Sequence, residues 1–188
     1  LFITGTLLAT NFDTRWSTYR RPTNIQAPRP WRTWLLDSGS LTAHLIAASN
    51  QRFRVNLKQQ GWALPLRSEA KVLGLKNRQS ALIREVELKG GDDNYVLART
   101  IIPATTLTGK YKQLASLGNR SLGTVLFRDP TMRRTTFQIC QLNLANGEQA
   151  WARRSVFYLS GKPLLVCEVF LPILATLPYR PPLLKSRI

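Results

Sequence analysis

The sequence predicts an α+β fold, with a single six-stranded antiparallel sheet and helices packed on one face. Two observations carry this expectation. Six segments are strand-like, alternating or uniformly apolar, and turn-rich connections join most of them. Two short stretches each follow a serine placed to cap a helix. Hairpins impose antiparallel pairing, and helices inserted between strands cover one side of such a sheet. A chain of 188 residues suits one domain. The expected organisation is an N-terminal arm over 1–30, a domain over 31–172 and a C-terminal tail over 173–188.

The elements follow in chain order. Tyr19–Pro30 holds three prolines and several polar residues, as an extended arm does. Trp31–Leu36 is apolar and stops at Asp37-Ser38-Gly39-Ser40, where Ser40 caps a helix over Leu41–Ser49. Gln51–Gln59 alternates, with Phe53, Val55 and Leu57 on one face and Arg52, Arg54, Asn56 and Lys58 on the other, giving a half-buried strand. Gly61–Gln79 has no clean period and is expected to be a long loop with one helical turn, a candidate lid. Strands Ser80–Leu88 and Tyr95–Pro103 flank Gly90-Gly91-Asp92-Asp93-Asn94. Tyr111–Leu117 has a helical pattern stopped by Gly118, and Ser121 caps a short helix through Phe127. Strands Arg133–Leu142 and Trp151–Ser160 flank a turn at Asn146-Gly147, and Gly161-Lys162-Pro163 leads into Leu164–Leu171.

Charge narrows the partner. The chain carries 27 Lys+Arg against 10 Asp+Glu, a formal charge of +17. The first 32 residues contribute +4, the tail from Pro178 +3, and the segment between them the remaining +10. Such an excess calls for an anion: a nucleic acid, a membrane surface or a small acidic metabolite. Arginine outnumbers lysine by 19 to 8, which suits bidentate contacts with carboxylate or phosphate. No apolar run approaches the roughly 20 residues of a membrane span. Leu1–Thr10 has no basic residues before it and matches a secretory signal poorly. Cys140 and Cys167 lie in strand-like runs and are expected to be buried and reduced, consistent with a cytoplasmic protein. No C-x-x-C pair, glycine-rich phosphate loop or recognition helix is present, so a specific nucleic-acid role rests on charge alone. A single histidine, His44, argues against His-rich metal chemistry and is expected to pack or face solvent.

The informative positions break their local pattern. Strand alternation puts Arg84 on the apolar face of Leu82, Val86 and Leu88, while Ile83, Glu85 and Glu87 form the other face. A guanidinium keeps its proton, so its burial demands an anion. Glu168 is the only charge in Leu164–Leu171 and must be paired, hydrogen-bonded or protonated. Two arrangements satisfy both residues. They neutralise each other in a buried salt bridge, or they line a cavity where Arg84 binds a carboxylate and Glu168 meets a hydroxyl or moves a proton. The helix starts at Leu41 and Leu122 offer free backbone N–H groups, which cap ordinarily or favour a bound carboxylate. Arg153 and Arg154 point to opposite faces of their strand, so at least one is structural or solvent-facing.

Taken in order, these segments resemble the chorismate pyruvate-lyase family. The resemblance rests on Trp34–Thr42, Ile83-Arg84-Glu85, Ala98–Pro103, Leu122–Phe127, Trp151–Ser155 and Ser160–Pro172, and it spans roughly 31–172. It implies an enclosed site under flap-like loops and conversion of chorismate to 4-hydroxybenzoate and pyruvate, the first step of ubiquinone biosynthesis, without metal or organic cofactor. It also implies roles: Arg84 on the ring carboxylate, main-chain groups of Leu41 and Leu122 beside it, and Glu168 on the 4-hydroxyl. Two positions depart from the family pattern. Ala152 stands where glycine is frequent and Leu41 where methionine is common, although a main-chain contact survives the second change. The expected partner is the small-molecule substrate, with the protein a monomer. Two alternatives remain at this point: a non-catalytic carboxylate-binding effector module of the same fold, and a basic nucleic-acid binder.

Overall fold

The computed structural model describes residues 12–18 and 27–182. Leu1–Thr10, most of the expected arm over Tyr19–Pro30 and the last six residues lie outside them. Among the described residues the sheet has eight strands: β1 (Ser17–Thr18), β2 (Phe53–Ala63), β3 (Ala81–Gly90), β4 (Asp93–Pro103), β5 (Arg133–Arg134), β6 (Gln138–Asn143), β7 (Gln149–Leu159) and β8 (Lys162–Phe170). Their order is β1-β6-β7-β8-β4-β3-β2, with β5 pairing on β7, and every pairing is antiparallel.

The count corrects the expected six, for two physical reasons. The predicted strand over Arg133–Leu142 breaks at 135–137, where Thr135 Oγ1 accepts from the Val156 amide and replaces a ladder bond, so that β5 and β6 pair separately with β7. Ser17 and Thr18 add a short edge strand against β6.

Among the described residues four α-helices accompany the sheet: α1 (Arg29–Leu36), α2 (Leu41–Ala48), α3 (Arg67–Leu73) and α4 (Leu122–Arg128). The helix expected over Tyr111–Leu117 is a 3-10 segment, Gly109–Ser116. Ser40 and Ser121 cap as expected, their hydroxyls accepting from the amides of Ala43 and Thr124. Helices do not confine themselves to one face. α1, α2, α4 and the 3-10 segment cover the face bearing Leu82, Val166 and Phe170. On the reverse face Leu73 of α3 packs with Ala81, Ile101, Leu165 and Cys167, joined by Phe12. The segment expected to be a loop, 61–79, thus finishes β2 and supplies α3.

A sheet covered on both sides has no solvent face for polar alternates, so charges on the reverse face are buried and must pair. Arg99 meets Glu85 at 2.6 Å and Glu69 of α3 at 2.8 Å. Both cysteines are free and buried there, and burial pushes the Cys140 thiol up to about 12 and Cys167 up as well. Among the described residues no helix is long and apolar enough to cross a membrane. Replacing Arg99 by methionine leaves two buried carboxylates without their cation. Urea denaturation should then show a loss of about 3–5 kcal/mol, and an unchanged midpoint would contradict the pairing.

Candidate active site

A cavity lies between the sheet and the helices α2 and α4. Its floor follows the sheet register. One cross-strand row runs Arg84, Thr100, Val166, Ser155 over β3, β4, β8 and β7, and the next runs Val86, Ala98, Glu168, Arg153. Residues in register share a face, so both pattern-breaking charges reach the same space. The small side chains of Ala98 and Thr100 stand between them and leave room for a ring. All four residues singled out from the sequence, Leu41, Arg84, Leu122 and Glu168, line this cavity.

Arg84 and Glu168 do not neutralise each other. Arg84, 2% exposed, donates from Nη1 to the Gly118 carbonyl at 2.8 Å and from Nη2 to the Arg120 carbonyl at 3.1 Å. Among the described residues no carboxylate lies within 4.0 Å of it. Neutral carbonyls orient the guanidinium without cancelling its charge, and burial pushes its pKa down. An arriving anion stabilises such a cation. The gripping loop is itself hung on β2: the Leu57 amide donates to Asn119 Oδ1 at 2.8 Å, and Gln60 Nε2 donates to the Ala115 carbonyl at 2.7 Å.

Glu168 is paired instead with a residue whose role the sequence left open. Arg153 Nε donates to Glu168 Oε2 at 2.6 Å, and its Nη1 donates to the carbonyls of Trp34 and Asp37 at 2.9 and 2.8 Å. Among the described residues no hydrogen bond engages Glu168 Oε1. Arg154 takes the reverse face, donating to Gln138 and Ser68. A third arginine, Arg134 of β5, also lines the cavity, and sequence reasoning missed it. Its Nε donates to Ser155 Oγ at 2.8 Å, and its guanidinium lies over the rings of Phe137 and Phe157. Burial first, then the like charge of Arg153, push its pKa down, while Glu168 and Asp37 oppose. The available signal was the Arg133-Arg134 pair, since one of two adjacent strand residues must face inward.

The helix starts meet at the cavity mouth. Thr42 and Ser121 share a 2.7 Å hydroxyl–hydroxyl bond. Gly123 makes this approach possible, because a Cβ there would stand 2.7 Å from Thr42 Oγ1. His44 plays no part in the lining: its Nε2 lies 2.9 Å from Asp37 Oδ2 and its Nδ1 2.8 Å from the Tyr179 hydroxyl. No residue of 61–79 lines the cavity either, which removes that segment as the lid; α3 draws it to the opposite side of the sheet. Among the described residues no cluster of His, Cys, Asp and Glu is arranged to hold a metal ion.

Solved structures share this α+β architecture, a large antiparallel sheet with helices packed on it. The effector domain of PhnF from Mycobacterium smegmatis aligns with a TM-score of 0.52 at 17% identity, covering 74% of this chain and 92% of that one. A GntR-family transcriptional regulator from Bacillus cereus aligns at 0.51 and 12% identity, covering 65% and 93%. At these identities the likeness is one of fold. Sequence comparison is more specific. The family model "Chorismate lyase" matches residues 14–177. Proteins named "Probable chorismate pyruvate-lyase" are 39% identical in Methylococcus capsulatus, covering 78% of this chain and 97% of the relative, and 41% identical in Thiobacillus denitrificans, covering 82% and 89%. The chain belongs to the chorismate lyase family.

Gly123→Ala should force the start of α4 away from α2. The expected cost is about 1–3 kcal/mol in chemical denaturation. A Thr42→Ala background, which removes the clashing oxygen, should recover most of it.

Proposed function

We propose that the cavity is the site at which this member of the chorismate lyase family cleaves chorismate to 4-hydroxybenzoate and pyruvate, the first step of ubiquinone biosynthesis. The observation that carries this reading is the buried Arg84, held by neutral carbonyls and facing the same space as Glu168. Arg84 receives the ring carboxylate, with the main-chain N–H groups of Leu41 and Leu122 beside it, at helix starts that favour an anion. Glu168 accepts the 4-hydroxyl at Oε1 and takes the proton from C4. Three guanidinium groups against one carboxylate give the wall two positive charges in excess, the complement of a dianionic substrate.

The chemistry asks little more than placement. Loss of the C4 proton and cleavage of the C3–oxygen bond make the ring aromatic, which supplies the driving force. The bond's electrons leave on the enolpyruvate oxygen, and enolpyruvate takes up a proton to become pyruvate. The site binds the ring, holds the C4 proton near a base and meets the departing anion with fixed positive charge. The same proposal makes the protein a cytoplasmic monomer whose partner is this small molecule, with no specific nucleic acid and no cofactor, and with the lyase domain over 31–172 between an N-terminal arm and a C-terminal tail.

Purified protein should convert chorismate to 4-hydroxybenzoate, followed by ultraviolet absorbance. Chorismate binding without turnover would instead identify an effector module. Arg84→Ala should lower kcat/KM by roughly 100-fold or more while the protein stays folded, and unchanged turnover would remove Arg84 from the site. Glu168→Gln should keep 4-hydroxybenzoate binding but lower kcat by about 10²–10⁴-fold, as loss of a general base does. An unimpaired kcat would leave Glu168 a structural role alone.

A further inference from the structure

We infer that Arg134 is the residue that binds the enolpyruvyl carboxylate. This rests on the lyase reading of the cavity and names the second cation which that reading requires.

The substrate's own geometry says where that cation must be. The ring carboxylate and the hydroxyl stand para to each other, and the enolpyruvyl ether is on the carbon next to the hydroxyl. With the carboxylate at Arg84 and the hydroxyl at Glu168, the second carboxylate falls beside Glu168 and away from Arg84. Arg134 Nη2 lies 3.8 Å from Glu168 Oε2. Ser155, which holds Arg134 Nε, ends the same cross-strand row that Arg84 begins. Arg84 opens this row on β3 and Arg134 lies one strand beyond Ser155 on β5, a backbone span of four strand spacings, about 19 Å, and their side chains reach in from opposite ends.

Donor accounting separates Arg134 from its neighbour. Arg153 has spent Nε on Glu168 and Nη1 on two carbonyls, and it is 1% exposed. Arg84 has a carbonyl on each terminal nitrogen. Arg134 is the one cavity guanidinium, among the described residues, whose Nη1 and Nη2 make no hydrogen bond. That outer edge is the two-pronged fork that fits a carboxylate. The rings of Phe137 and Phe157, 4.2 and 4.6 Å from its central carbon, fix the plane in which the fork lies. When the C3–oxygen bond breaks, this cation is also nearest the leaving enolpyruvate, so it holds the departing anion without moving.

The test uses the difference between substrate and product, since only chorismate and pyruvate carry the second carboxylate. Arg134→Gln should raise KM for chorismate by roughly 10- to 100-fold and abolish inhibition by pyruvate. The Kd of 4-hydroxybenzoate should stay within about twofold, because the ring subsite is separate. Arg134→Lys should restore part of the loss. A merely structural role would weaken 4-hydroxybenzoate and chorismate alike. That outcome, or a KM and pyruvate inhibition equal to wild type, overturns the inference while leaving the lyase reading intact. Wild-type protein that does not turn chorismate over overturns both. Should the variants fail to fold, wild type is titrated with 3-(1-carboxyvinyloxy)benzoate, which keeps the enolpyruvyl ether on a ring that is already aromatic, and with its vinyl carboxamide. The acid should bind roughly tenfold or more tightly than the amide, and equal affinity refutes the assignment.

Discussion

The Arg153–Glu168 contact ties β7 and β8 to the end of α1 and the turn that follows it. One guanidinium, almost fully buried, holds the carboxylate of β8 with Nε and the main chain at both Trp34 and Asp37 with Nη1. It thereby fixes the end of α1 and the turn into α2 against the middle of the sheet. The turn sets where α2 begins, and the start of α2 meets the start of α4 through Thr42 and Ser121. A buried pair of this kind contributes little net stability by itself, because desolvating both charges offsets most of their attraction. Its importance is positional. It orients Glu168 through one oxygen and leaves the other for a ligand.

The reverse face obeys the same constraint in a different chemistry. Arg99 there is met by two carboxylates, whose surplus negative charge the buried Arg154 on the same face offsets, and the surrounding cluster is apolar. On the site face three arginines line the cavity with a single carboxylate, which only two of them approach. Two faces of one sheet thus bury charge to opposite ends: one neutral and structural, the other in deficit of anions and able to take them from a ligand. Total charge does not distinguish these cases, whereas the local balance does.

The sequence exposed Arg84 and Glu168 because each sits among apolar neighbours at a strand spacing of two, a pattern that solvent exposure does not produce. Leu41 and Leu122 were legible through the serines that cap their helices. Arg153 and Arg134 were not, and for definite reasons. Arg153-Arg154 looks half solvent-facing only if the sheet has a wet side, and α3 with Phe12 removes that side. The irregular stretch 61–79 concealed α3, so helices were expected on one face and the segment was expected to cover the site. Arg134 belongs to a two-residue strand, too short to show alternation, and its inward direction depends on the break at 135–137. The eighth strand comes from Ser17-Thr18, which has no periodicity and forms only because β6 offers an edge.

The loop over 117–121 has a consequence beyond the ligand. β2 is the last strand of the sheet, and its outer side offers unpaired backbone groups. Asn119 takes up the Leu57 amide beside the bulge between Leu57 and Gln59, and Gln60 bonds back to Ala115. The segment that grips Arg84 is therefore also the cover of an exposed sheet edge, the feature through which β proteins join one another and aggregate. Among the described residues the other end of the sheet is the two-residue β1. Sequence changes that loosen the 117–121 loop would bare β2 to intermolecular pairing as they unseat the arginine, so selection for a covered sheet edge and selection for a formed site act on the same five residues.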